Sequence, residues 1–165
     1  MLGKTHMIAG MTIAGLYACS ADTTSLPYIT AAITAGAIGG LLPDIDHPNS
    51  KISHKLKPVS KIVNLLFSHR GLFHTPAFYI ILWAIVIWQF SNPANILFIN
   101  SLFLGVMSHL FLDALNPTGI PLFFPLEKKR RNLANIKTGG LTEKVLCTAI
   151  LILFCCTAIN FYHII

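Results

Sequence analysis

Apolar residues dominate five stretches of the chain, and short polar segments separate them. The stretches cover residues 6–20, 27–42, 75–90, 94–115 and 144–165. A helix needs about 20 apolar residues to cross the hydrocarbon core of a bilayer. The last two stretches satisfy this, and the first three require flanking residues or local thinning of the bilayer. The pattern predicts an all-α fold, an integral membrane helix bundle with about five transmembrane helices.

Two further segments are apolar in part but do not have the pattern of a span. Residues 51–68 mix lysines with aliphatic residues, which predicts a short amphipathic helix from Pro58 in the headgroup plane. Residues 117–126 are broken by three prolines, which predicts a loop at the membrane interface. No repeat or linker divides the chain, so residues 1–165 are predicted to form a single membrane-embedded helical domain.

The composition and the placement of charge support a membrane protein. Only 11% of the residues are charged, against about 25% in soluble domains. With five alternating spans, all twelve Lys and Arg residues fall on one side, and the positive-inside rule makes that side the cytoplasm. The predicted topology is multi-pass, with a cytoplasmic N-terminus and a periplasmic C-terminus. The positive-inside rule already explains the basic residues that give the net charge of +6, so no nucleic-acid partner is expected.

Histidine and aspartate gather at the predicted cytoplasmic ends of the spans. Asp44 and Asp46 follow the second stretch in "GLLPDIDHPNS", although the chain has only six acidic residues. His109 and Asp113, in "SHLFLD", are four residues apart and share one helix face. Ionisable groups at membrane depth are candidates for a functional site. The predicted metal ligands are His6, Asp44, Asp46, His47, His69, His74, His109 and Asp113.

The residue types indicate which metal the site would hold. Imidazole and carboxylate ligands without cysteine suit Zn²⁺, Mn²⁺ or Fe²⁺. The four cysteines are interpreted as small apolar helix residues. Eight candidate ligands exceed one tetrahedral site, so we predict two divalent transition-metal ions, Zn or Mn, that activate water for attack at phosphorus. Some of the eight can instead orient a ligand imidazole.

Four motifs together resemble one known family. They are "THMIAG", "GLLPDIDHP", "HRGLFHT" and "SHLFLDALNPTGIPLFFP", spread over residues 5–125. In these the chain resembles the YdjM-like family of LexA-regulated, membrane-bound metal-dependent hydrolases. The resemblance implies a helical protein of the bacterial inner membrane, a metal-dependent hydrolase, a link to DNA-damage (SOS) regulation, and the same eight residues as the polar centre. It does not supply a substrate.

The favoured function is hydrolysis of a phosphoester in a lipid or lipid-linked, amphiphilic substrate at the cytoplasmic membrane face. Arg70 is the candidate phosphate clamp, with a positive-inside anchor of the topology as the alternative. Asp46 is the candidate general base as well as a candidate ligand. The lipid bilayer is the expected partner, and the oligomeric state stays open.

The alternatives are a non-enzymatic metal-binding membrane protein, either a metal-stabilised scaffold or an ion transporter, and a bis-histidine haem protein. A transporter would carry polar residues near mid-membrane, and a haem would leave the aspartates unexplained.

Overall fold

The computed structural model describes residues 1–21, 25–46, 72–124, 126–127 and 129–164. Within these ranges no strand forms, which confirms the all-α prediction, and two 3-10 turns cover Leu42–Asp46 and Leu72–His74. The five α-helices of the described residues are α1 (Gly3–Ser20), α2 (Leu26–Gly39), α3 (Pro76–Gln89), α4 (Pro93–Ala114) and α5 (Leu141–Ile164).

Proline and asparagine set the starts of α3 and α4. Pro76 and Pro93 occupy first-turn positions, where the missing N–H of proline costs nothing because that group would have no partner within the helix. The Asn92 side chain caps α4 by accepting a hydrogen bond of 2.8 Å from the Asn95 amide. Both helices therefore begin at a proline.

Three helix boundaries differ by three residues from those predicted. The first helix begins at Gly3 rather than at residue 6. The second helix ends at Gly39 rather than at residue 42, because Pro43 has no N–H to donate and its ring crowds the carbonyl of residue 39. The last helix begins at Leu141 rather than at residue 144. There the Glu143 side chain accepts a 2.6 Å hydrogen bond from the Gly139 amide and so caps an earlier start.

The centre of the bundle is a trio of helices, α1, α2 and α4, that approach one another closely at glycines. A Cβ atom on Gly10 of α1 or on Gly105 of α4 would collide with the Gly36 carbonyl group of α2. Just beyond α2, a Cβ on Gly40 would collide with the carbonyl group of His6. Small residues at helix contacts let backbones pack directly, as is common between membrane helices. The three helices therefore form one closely packed body.

The other two helices pack on the outside of this trio. Helix α3 packs along α4, where Tyr79 is buried against Val106 and Leu110. Helix α5 packs along α1. Large apolar side chains cover the outer faces of both helices, among them Ile81, Ile85 and Trp88 on α3 and Val145, Ile152 and Ile159 on α5.

A polar network joins three helices at a depth far from the helix ends that carry the predicted metal ligands. The Trp83 indole N–H of α3 donates to Asn100 Oδ1 of α4 at 2.9 Å. The Asn100 amide group in turn donates to the Tyr17 hydroxyl of α1 at 2.6 Å. Because all three polar groups have partners, the network fastens α1, α3 and α4 together at this depth.

Two of the described helices are long and apolar enough to cross a membrane. They are Pro93–Ala114, and Leu141–Ile159 within α5. Helices Leu26–Gly39 and Pro76–Gln89 are also apolar but shorter, with 14 residues each, or about 21 Å at 1.5 Å per residue. The predicted amphipathic helix of residues 51–68 lies outside the described residues.

The segment after α4 folds back onto the bundle. Ile120 and Arg131 form an isolated antiparallel bridge, and Ile120 is buried beside α3 and α4. The Leu133 amide donates to the Ala114 carbonyl at 2.7 Å, which gives the C-terminal end of α4 a hydrogen-bond partner. Phe123 and Leu126 stay exposed.

Candidate metal centre

Predicted ligands from four elements meet at one end of the bundle. His6 lies in the first turns of α1, Asp44 in the turn after α2, His74 just before α3, and His109 and Asp113 in the last turns of α4. The starts of α1 and α3 therefore adjoin the ends of α2 and α4, as expected for helices that alternate in direction. All three histidines are buried, and only Asp44 is partly exposed.

Asp113 lies between the three imidazole rings. Its Oδ1 atom is 3.2 Å from His6 Nε2. Its Oδ2 atom is 3.6 Å from both His74 Nε2 and His109 Nε2. Ligands of a tetrahedral zinc ion stand about 3.4 Å apart when the metal bonds are about 2.0–2.1 Å. The spacing around Oδ2 is therefore too long for hydrogen bonds and close to that of two ligands on one ion.

The orientation of His109 is fixed by a backbone carbonyl. His109 Nδ1 lies 2.8 Å from the Gly40 carbonyl oxygen. Since a carbonyl oxygen can only accept, Nδ1 carries the proton, and a neutral ring then has its lone pair on Nε2. That buried Nε2 atom has no hydrogen-bond partner in the described part of the chain. Metal-binding histidines commonly donate their second N–H in this way.

The rings of His6 and His109 are stacked, with centroids 3.8 Å apart and planes inclined by 20°. His74 meets the His109 ring edge-on, at 5.6 Å. These contacts hold three imidazoles within one small volume that is closed to solvent.

The centre opens at Asp44. Its Oδ1 atom is 3.8 Å from His109 Nε2, and its side chain is 21% exposed. Two groups of potential ligands result within the described residues, namely His6, His109 and Asp113, and Asp44, His74 and His109. Both groups need His109, whose Nδ1 is already bonded to Gly40. A neutral His109 can bind only one ion, so the two groups cannot use it for two separate ions.

The remaining predicted residues cannot be placed. The Asp46 backbone closes the 3-10 turn Leu42–Asp46, and its side chain lies outside the described residues. His47, His69 and Arg70 also lie outside them. Their assignment, and with it the predicted second ion, stays a prediction.

Two supporting side chains were not identified from the sequence. Asn116 donates to Asp113 Oδ1 at 3.0 Å and so orients that carboxylate. Glu143, at the start of α5, is buried and accepts hydrogen bonds from Leu2, just before α1, and from Thr5 in the first turn of α1. Asn116 stands in the last of the four quoted motifs, but no role was predicted for its side chain. For Glu143 the available signal was its acidic side chain three residues beyond a Gly-Gly pair.

These features define a helical membrane protein with a buried His/Asp cluster at one end of its bundle. The chain belongs to the YdjM inner membrane protein family, whose model matches residues 1–164. The family resemblance inferred from the four motifs is thereby confirmed. The family name also agrees with the predicted location in the inner membrane.

The chain is also similar in sequence to individual bacterial proteins. The chain is 34% identical to the uncharacterized protein YvsG of Bacillus subtilis (strain 168), over 99% of this chain and 98% of the relative. It is 33% identical to the inner membrane protein YdjM of Escherichia coli (strain K12), over 68% of this chain. That match covers 59% of the Escherichia coli protein. No solved structure matches the chain.

Proposed function

We propose that this protein is a membrane-bound metal-dependent hydrolase that cleaves a phosphoester of a lipid or lipid-linked substrate at the cytoplasmic membrane face. The observation that supports it is the buried His109 Nε2 atom, aimed at Asp113 and Asp44 while Nδ1 is held by the Gly40 carbonyl. A divalent Zn or Mn ion supplies Lewis-acid activation of water and neutralises charge on a phosphoryl group.

The donor set fits such an ion. Two groups that share His109 offer nitrogen and oxygen ligands within 4.8 Å of one another, namely His6, His109 and Asp113, and Asp44, His74 and His109. Catalytic sites keep one position open, whereas structural sites are closed by protein ligands. The partial exposure of Asp44 provides an edge through which a headgroup can enter while its lipid tail stays in the bilayer.

The proposal also assigns roles to Arg70 and Asp46, and these roles rest on the sequence alone. Arg70 would grip two phosphate oxygens through its planar guanidinium group. Asp46 would accept the proton of the attacking water, unless it binds the second of two ions. The link to DNA-damage regulation stays a prediction from the family resemblance.

The chemistry is tested with a panel of phospholipids and isoprenoid phosphates. We expect metal-loaded protein to release phosphate or a headgroup from one of them. Arg70→Lys should lower turnover by about 100-fold, as when one group that stabilises transition-state charge is removed, because lysine keeps the charge and loses the fork. Its metal content, measured by elemental analysis, should not change.

The controls are chelator-treated protein and Asp113→Ala. Turnover that survives both belongs to a contaminant. If metal-replete protein turns over nothing on the panel, the hydrolase proposal is rejected in favour of a metal-stabilised scaffold. That second candidate is favoured by one observation, the full burial of all three histidines, which is typical of closed structural sites.

The proposed topology has five spans with the N-terminus in the cytoplasm. Its basis is the placement of all twelve basic residues on one side. We expect an alkaline phosphatase fused after Ile165 to be active in the periplasm, and a fusion within residues 129–140 to be inactive. The reverse pattern would mean that one of the shorter helices does not cross the membrane.

A further inference from the structure

A buried carboxylate ties the start of α5 to the start of α1. Glu143 is only 1% exposed. Its Oε1 atom accepts hydrogen bonds from the Leu2 amide at 2.6 Å and the Thr5 hydroxyl at 2.9 Å. Its Oε2 atom accepts from the Gly139 amide at 2.6 Å. One side chain therefore fixes two helix starts at once.

The surroundings of Glu143 lack a compensating side-chain cation. No Lys, Arg or His side chain of the described residues lies within ion-pair distance of it. A buried carboxylate is costly without partners. The three donated hydrogen bonds stabilise it there, together with the charge of the N-terminal ammonium group. Their loss would release the first turn of α1 from α5.

That first turn carries part of the metal centre. His6 follows Thr5 directly, and its ring contacts both Asp113 and His109, with Nε2 3.2 Å from the carboxylate and the ring stacked at 3.8 Å on the imidazole. An α1 helix that shifts or frays at Leu2 and Thr5 would move His6 away from both.

We propose that Glu143 is a positioning residue of the metal centre, holding the first turn of α1 through Leu2 and Thr5 so that His6 faces Asp113 and His109. This inference rests on the proposed metal centre. It gives α5 a role in the metal centre, although none of the described α5 side chains belongs to the two groups of potential ligands. Glu143 acts on the geometry of His6, while His109 and Asp113 stay in place on α4.

The test removes the hydrogen bond and keeps the shape. Thr5→Val is nearly isosteric but cannot donate to Glu143, and Thr5→Ser restores the hydroxyl. We expect Thr5→Val and Glu143→Gln to weaken Co²⁺ binding by about tenfold, the lower end of the loss seen when a ligand-orienting partner is removed. Thr5→Ser should stay within about twofold of wild type. Affinity is measured by competition with a chelating dye, and the visible Co²⁺ spectrum reports the geometry of the ligands.

A second substitution separates positioning from general loosening. In a His6→Ala background, Thr5→Val should cause no further loss of affinity, because its effect passes through His6. If His6→Ala alone abolishes binding, the inference is judged from the comparison of Thr5→Val with Thr5→Ser in the wild-type background. Wild-type affinity and an unchanged Co²⁺ spectrum in Thr5→Val would overturn the inference and leave the metal centre intact. Failure of the wild type to bind any metal would instead overturn the centre.

Discussion

His109→Ala and Asp113→Ala proteins are expected to lose bound metal. His109 belongs to both groups of potential ligands, and the two Asp113 oxygens face all three buried histidines. Each substitution should weaken binding by more than about 100-fold, because removing a ligand should cost more than removing a partner that only orients one. Elemental analysis of desalted protein and competition titrations with Zn²⁺ and Mn²⁺ measure the loss.

The matched control is His163→Ala, near the opposite end of α5 from Glu143. It also removes an imidazole, so a general effect of histidine content would lower its metal content equally. Wild-type metal content in both His109→Ala and Asp113→Ala would show that the buried cluster is not the binding site. A wild type that binds neither ion would reject the metal centre altogether.

Gly10→Ala is expected to destabilise the bundle, whereas Gly15→Ala in the same helix is not. A Cβ on Gly10 would collide with the backbone of Gly36, which cannot move without separating α1 from α2. Overpacking typically costs about 1–3 kcal/mol and occasionally more, and we expect the free energy of unfolding to fall by at least the upper value. Thermal unfolding followed by circular dichroism in detergent or nanodiscs measures the change.

Gly15 provides the comparison because its added Cβ would stand 3.7 Å from the Ile33 side chain, an ordinary contact. Alanine is a better helix former than glycine by about 1 kcal/mol, so Gly15→Ala should leave the unfolding temperature unchanged or raise it. Equal unfolding temperatures for the two variants would contradict the close packing of α1 on α2. Gly10→Ala should also bind metal more weakly, since His6 lies one turn before it.

The positions of the helices and the convergence of the histidines at one end of the bundle could be predicted because both follow from local sequence patterns. Apolar stretches gave the five described helices, and alternating direction placed His6, His74 and His109 at one end. The four-residue spacing of His109 and Asp113 fixed their shared face in advance. The helix boundaries at Gly39 and Leu141 were missed because Pro43 and Glu143 act through single backbone groups.

The supporting contacts could not be predicted, because they depend on which helix faces meet. Nothing in the sequence indicates that the Gly40 carbonyl would hold His109 Nδ1, or that Glu143 would reach Leu2 and Thr5 across 138 residues or more. The number of ions stays a prediction, because three of the eight candidate ligands, Asp46, His47 and His69, lie wholly or in their side chains outside the described residues.

The glycine contacts of α1, α2 and α4 have a consequence for how metal affinity arises. His6, the Gly40 carbonyl and the His109–Asp113 pair all belong to this one closely packed body. In a zinc finger, much of the binding energy is consumed in folding the chain around the ion. In the proposed centre, backbone packing positions the ligands, so we expect metal binding and helix association to be largely uncoupled. A scaffold that needed metal to hold its helices together would gain little from such a framework, whereas a catalyst gains fixed ligand geometry.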